Sequence, residues 1–184
     1  MLLEGQMIVP AANTMKNFEK LMNRPYRYII ILDSHLSIVE TMIRMGKKNN
    51  KRIILHADLI QGLKNDLPAT EFICQNLRPY GVISTRSNVL EIAGKRGLKT
   101  VQRIFLLDSR SLETGYRVLE HVKPDMVELL PGVIPGMIRE VVSKTGLPVI
   151  AGGLIRTRQN IREALDAGAA AISTSKPDLW ELGD

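Results

Sequence analysis

Short, unbroken apolar runs recur along the chain, many of them rich in β-branched residues. They start near residues 6 (Gln6 to Val9), 28 (Tyr28 to Leu32), 52 (Arg52 to Leu55), 81 (Gly81 to Ser84), 100 (Thr100 to Phe105), 126 (Met126 to Leu130), 148 (Pro148 to Ala151) and 169 (Ala169 to Ser173). Between them apolar positions fall at helical spacing, as in Phe18, Leu21 and Met22, then Leu36, Val39, Met42 and Ile43. Runs that are continuously apolar rather than alternating indicate strands covered on both faces. Strict β/α alternation then implies a parallel sheet with right-handed crossovers.

Eight such units predict an α/β fold, a compact single-domain (β/α)8 TIM-type barrel over residues 1–184, with an open doubly wound sheet as the rival. At 184 residues the barrel is shorter than the ~200 at the low end of the usual range, so its connections must be minimal. Two pairs of segments echo each other: His56 to Gly62 with Ala151 to Thr157, and Val82 to Arg86 with Ala171 to Ser175. They fall in units three and four, then seven and eight, which is the register of two related halves and supports counting eight.

Composition adds exclusions. With 45% hydrophobic and 24% charged residues and no low-complexity tract, the chain reads as globular. No apolar run reaches the ~18 residues of a membrane span, and the N-terminus lacks signal-peptide character, so a cytoplasmic protein without a membrane partner is expected. The single cysteine, Cys74, falls on or near the apolar face of a helix and reads as core packing.

In a barrel of this type the loops after strands seven and eight often bind phosphate through backbone N–H groups. Gly152 and Gly153 end strand seven, while Ser173, Thr174 and Ser175 end strand eight with hydroxyls and amides, so together they predict a phosphate cup. Spacing alone equally allows a tight turn at the glycines and an N-cap at Thr174 or Ser175. Arg156 is either a further phosphate ligand or a solvated residue.

Other strand ends collect Asp33 with His35, His56 with Asp58, Arg86, Asp108 and Glu128. Glu128 and Arg103 each interrupt an apolar strand, and a charge pair between neighbouring strands would satisfy both. Gln102 and Arg103 must face opposite sides, and Arg103 is expected inside. The segment from Asp58 to Asp66 suits a loop folding over a ligand, and equally a surface connection. A ligand with one phosphate and a few hydroxyls would fit between the cup and Asp58 or Glu128.

An enzyme working on such a ligand needs an acid and base, or a nucleophile, beside the cup. No strand carries a mid-strand lysine, no pair among Asp33, Asp58 and Asp108 stands out, and His56 with Asp58 makes no complete metal-ligand set. Neither a metal nor a catalytic group is therefore expected.

The net charge is +6, and its placement is informative. Arg24, Arg27, Lys47, Lys48, Lys51, Arg52, Arg78, Lys95, Arg96, Lys99, Lys123 and Lys144, twelve of the 25 basic residues, fall in or beside helix-to-strand connections, with only Asp125 visibly opposing them. Helix C-termini favour cations, yet this excess exceeds what capping needs. Lys47, Lys48, Lys51 and Arg52 with Lys95, Arg96 and Lys99 form two blocks that make nucleic acid a candidate partner. Aromatic residues near this end are Tyr26, Tyr28 and Tyr80, few enough that phosphate tracking is better supported than base stacking.

The combination resembles the glycerol-3-phosphate-responsive antiterminators that regulate glycerol-utilisation operons in bacteria. The resemblance is nearly full length and rests on Met15 to Phe18, Asp33 to Leu36, His56 to Gly62, Thr70 to Cys74, Gly81 to Ser87, Gln102 to Asp108, Glu128 to Gly132, Ala151 to Thr157 and Ile172 to Ser175. It implies a phosphate-binding barrel that does no chemistry, with glycerol 3-phosphate as effector, no cofactor, and leader mRNA as the target on which the loaded protein prevents transcription termination. One departure is Asn13, where the family carries an arginine after the Pro-Ala of the first strand; if that arginine belongs to the effector site, affinity or ligand choice differs here. A ligand-dependent homodimer is one way to create a continuous RNA surface, although no interface is identifiable from these residues. The alternative is a phosphate-dependent isomerase, aldolase or synthase acting on a triose or glycerol phosphate.

Overall fold

A computed structural model describes residues 3–181. Eight parallel strands close into a barrel: β1 Ile8–Ala12, β2 Tyr28–Ile31, β3 Arg52–His56, β4 Gly81–Ser84, β5 Lys99–Phe105, β6 Met126–Leu130, β7 Val149–Gly152 and β8 Ala171–Thr174. They neighbour one another in chain order and β8 pairs with β1, as the alternating pattern required. The open-sheet rival is thereby excluded. Among the described residues seven α-helices surround the barrel: α1 Met15–Met22, α2 Leu36–Lys48, α3 Leu67–Phe72, α4 Ser87–Lys95, α5 Ser109–Val122, α6 Pro135–Thr145 and α7 Arg158–Asp166. No helix among the described residues is long and apolar enough to cross a membrane.

The continuous apolar runs follow from two cores back to back. Val9, Ala11, Tyr28, Ile30, Ile54, Ile83, Val101, Met126, Ile150 and Ala171 fill the barrel interior. Their strand neighbours, such as Ile29, Ile53, Leu55, Val82 and Val127, join the helix layer with Phe18, Leu21, Met42 and Ile43. Cys74 is buried in that outer layer, as expected.

Helix starts are set by local chemistry. Thr14 and Asp66 accept from the backbone N–H groups of Asn17 and Ala69, while Asp108 with Ser111 and Thr157 with Asn160 form reciprocal capping boxes. Asp108, one of the strand-end carboxylates weighed for proton transfer, is thus committed to starting α5. Among the described residues β8 is followed by a 3-10 turn, Pro177–Leu179, and by the buried Trp180, whose indole N–H donates to the Thr174 carbonyl at 2.9 Å. The indole covers part of the barrel's outer face after β8.

Candidate effector site at the barrel mouth

The C-terminal ends of the strands surround a cavity of about 580 Å³, lined by Asn13, Asp33, Leu59, Arg103, Glu128, Leu130, Gly153, Leu154, Arg156, Ser173, Thr174, Ser175 and Lys176, among others. Its floor is a buried polar network. β5 and β6 pair with Arg103 opposite Glu128, and the Arg103 Nε donates to Glu128 Oε2 at 2.7 Å. The other carboxylate oxygen, Oε1, accepts from Ser173 Oγ at 2.7 Å. Both charged side chains are almost wholly buried, so each depends on the other for compensation. The expected charge pair between neighbouring strands exists, with Arg103 inward. Gln102 faces the other way and donates to the carbonyls of Ser84, Thr85 and Arg103.

The two glycines divide their roles. A Cβ on Gly152 would stand 2.5 Å from Ser173 Oγ and 3.0 Å from Glu128 Oε1, so this glycine makes room for the floor network and does not itself line the cavity. Gly153 does line it, with φ +71°, a left-handed conformation that favours glycine. Opposite it the turn after β8 contributes Thr174 and Ser175. The Thr174 hydroxyl accepts from the Lys176 N–H at 3.2 Å and orders that turn; it is not a helix cap.

Arg156 and Lys176 both line the cavity, and neither forms an ion pair among the described residues. Lys176 directly follows the hydroxyl-rich strand end, and nothing in its sequence context distinguishes it from a solvated lysine. Ser173, expected in the phosphate cup, lines the cavity but spends its hydroxyl proton on Glu128.

Asp58 and His56 depart from expectation. The Asp58 carboxylate accepts from Ser84 Oγ at 2.5 Å, from the Thr85 N–H at 2.7 Å and from Thr85 Oγ1 at 2.9 Å. Its acceptor capacity is spent stapling the β3 loop to the end of β4, and it lies outside the cavity. The same loop adds Ile60–Gln61 beside Ser34–His35 as a small parallel sheet at the rim. His56 is 2% exposed, and neither ring nitrogen has a hydrogen-bond partner. Burial, then the nearby Arg103 guanidinium, push its pKa down to about 4, against smaller opposing effects of Glu128 and Asp58. It is therefore a neutral ring beside the floor network rather than a wall of the cavity.

At the opposite end the structure pairs much of the expected basic face. Arg27 and Arg52 both bind Glu4, Arg96 binds Glu71, Lys99 binds Asp125 and Arg24 binds Glu181. Lys47 and Lys51 donate to the carbonyls of Leu77 and Arg24. Asp125 is thus not the sole opposing acid: Glu4, Glu71 and Glu181 come from segments that sequence order keeps distant. Arg52 also stacks over Tyr28 and Tyr80, and Tyr26 and Tyr28 are buried, so these two tyrosines present no open ring for a base. Of the seven residues assigned to RNA, Lys48 and Lys95 are exposed, and their side chains make no hydrogen bond or ion pair among the described residues.

Comparison with known proteins matches residues 8–180 to the family model described as glycerol-3-phosphate responsive antiterminator. A glycerol uptake operon antiterminator regulatory protein of Listeria monocytogenes is 38% identical, with a TM-score of 0.94 over 97% of this chain and 96% of that one. A glycerol uptake operon antiterminator-related protein of Thermotoga maritima is 29% identical, with a TM-score of 0.83 over 95% and 98%. Deoxyribose phosphate aldolase of Aeropyrum pernix, 14% identical over 95% of this chain and 86% of its own, has a TM-score of 0.69 and shares the fold alone.

Proposed function

The chain belongs to the glycerol-3-phosphate responsive antiterminator family, and from that premise we propose that it is a non-catalytic sensor whose barrel mouth binds glycerol 3-phosphate and which, when loaded, acts on leader mRNA. The observation that carries the effector assignment is the division of the mouth. Gly153, Thr174, Ser175 and two cations without ion-pair partners among the described residues, Arg156 and Lys176, line it together with Asp33 and the buried Arg103–Glu128 pair. A dianionic phosphate suits the first set, since backbone and cationic donors need no proton exchange to hold it. Hydroxyls suit the second, where carboxylate and guanidinium offer acceptors and donors close together. Asn13, in place of the family's arginine, lines the same cavity and would bring one donor amide without charge.

Absence of chemistry agrees with how the acids are used. Glu128 is held by Arg103 and Ser173, Asp58 by the β4 end, and Asp108 by a helix start, which leaves Asp33 as the one strand-end carboxylate of those weighed without such an engagement. For RNA, Lys48 and Lys95 are the best-supported contacts at the basic end, because their charges are not neutralised by the protein.

Calorimetric titration with glycerol 3-phosphate, with glycerol and inorganic phosphate as controls, tests the effector reading. Saturable binding, weakened by Lys176→Ala and Arg156→Ala in a folded protein, is expected. Equal affinity of wild type and both variants would refute the phosphate assignment. Turnover of a triose or glycerol phosphate, abolished by Asp33→Asn, would replace the sensor with an enzyme.

A further inference from the structure

The outward face of α5 carries four charges that form no ion pair among the described residues. The helix buries Leu112, Gly115, Tyr116 and Leu119, which leaves Arg110, Glu113, Arg117 and Glu120 on the opposite, exposed side. None of the four forms an ion pair among the described residues, although Glu113 and Arg117 are at the spacing that allows one; Arg117 donates to Thr114 Oγ1. Their order is plus, minus, plus, minus, and it is symmetric about Gly115. Arg110 and Glu120 are equidistant from that point, as are Glu113 and Arg117.

A pattern of this kind is self-complementary under a two-fold axis. If a second α5 lies antiparallel across the first with the axis at Gly115, Arg110 meets Glu120 of the other copy, Glu113 meets its Arg117, and each pair occurs twice. The same axis handles an unrelated feature. Leu107, just before α5, is 82% exposed, the highest value among the exposed large apolar residues. Symmetry about Gly115 sets it at the level of Lys123 of the other copy. There a cavity of about 600 Å³ lies between the C-terminal ends of α4 and α5; it is lined by Leu90, Leu98, Val122 and Pro124 but also by Glu91, Lys95, Lys99, Lys123 and Asp125, so it is a mixed rather than an apolar surface. The charge order thus selects the arrangement, and the exposed Leu107 lies at one end of the same contact.

We propose that the exposed face of α5 is a homodimer interface, in which a second copy of this chain packs antiparallel across it, pairing the four charges and seating Leu107 of each copy at the C-terminal end of the other's α5. This goes beyond the effector reading and does not depend on it, since none of these residues belongs to the mouth assignment.

Charge exchange tests it by sedimentation equilibrium. Arg110→Glu/Arg117→Glu makes the stripe wholly acidic, and Glu113→Arg/Glu120→Arg makes it wholly basic. The wild type is expected to dimerise reversibly, each double variant to dimerise at least ~100-fold more weakly, and an equimolar mixture of the two to recover a heterodimer. Leu107→Asp should weaken the dimer without restoring partners. All these positions are solvent-exposed, and unchanged thermal melting of each variant guards against unfolding. A monomeric wild type, a dimer indifferent to both charge changes, or a mixture that stays monomeric would each overturn the proposal.

Discussion

Replacing Glu128 by alanine should be among the most damaging changes to this barrel. The carboxylate is 2% exposed at its side chain and accepts two hydrogen bonds, from Arg103 Nε and Ser173 Oγ, while Arg103 is itself 8% exposed. Removing one partner leaves a nearly buried guanidinium without its carboxylate, which costs about 3–5 kcal/mol. For a chain of this size that is roughly 6–20 °C in Tm. Arg103→Met leaves the carboxylate with Ser173 alone and should cost a similar amount. The double change Arg103→Met/Glu128→Leu removes both charges and should come back to within about 1 kcal/mol of wild type, or above it, because apolar isosteres of a buried pair are often neutral or stabilising. Urea denaturation of the four proteins closes a double-mutant cycle. If the two single changes are additive to within ~0.5 kcal/mol, the side chains do not compensate one another and the floor network has been misread. Effector titration on the double variant then separates roles: a protein that is stable but no longer binds glycerol 3-phosphate assigns the pair to the ligand rather than to the fold.

Buried His56 gives a pH dependence. Its folded pKa, about 4, lies below the unfolded value near 6.5, so the unfolded chain binds the proton more readily between those limits. The stability it confers is full above pH ~6.5 and declines as pH falls toward 4, by roughly 3 kcal/mol in total. Urea midpoints measured across that range should fall more steeply for wild type than for His56→Leu, and parallel slopes would contradict a neutral buried ring. Asp58→Ala removes three acceptor contacts and should cost about 1–3 kcal/mol, with faster limited proteolysis between residues 57 and 66; an unchanged cleavage rate would mean that the loop is held by other contacts. Lys48→Glu/Lys95→Glu should weaken leader RNA binding and lower its salt slope while sparing stability, whereas wild-type RNA affinity would move the RNA surface away from this end.

The barrel was legible because its signal is collective. Eight short runs of double-sided hydrophobicity, separated by amphipathic segments, admit few other architectures, and the inner and outer cores explain both the continuity and the period. Arg103 and Glu128 were legible for a related reason: each charge broke an apolar strand, and adjacent strands could satisfy both. Less legible was anything decided by side-chain partners distant in sequence. Glu4 and Glu71 neutralise arginines of connections far along the chain, and no local pattern tells a paired arginine from a free one. Gly152 read as an anion cradle because a glycine at a strand end looks the same whether it admits a ligand or, as here, a neighbouring serine and carboxylate.

The position of the floor network constrains how effector occupancy can be felt elsewhere. Beneath Arg103 and Glu128 the interior is filled by Ile30, Ile54, Ile83, Val101, Met126 and Ile150, and below those Tyr28 and Tyr80 stack edge to face under the Arg52 guanidinium. Close-packed layers of this kind have no second arrangement of comparable energy, so a ligand at the mouth cannot slide them to signal the basic end. What can respond is the rim: the small Ser34–His35 and Ile60–Gln61 sheet, the exposed Leu59 and Leu154 that line the cavity, and the turn carrying Lys176. On the proposed function, linkage requires that effector and RNA each raise the other's affinity by the same factor, and only a surface that changes with occupancy can supply that factor. If RNA lies wholly on the basic end, glycerol 3-phosphate should leave its affinity nearly constant in dilute protein. A large effector-dependent gain would instead bring the RNA path onto the rim, and adding Lys48→Glu/Lys95→Glu would then lower affinity by the same factor with and without effector.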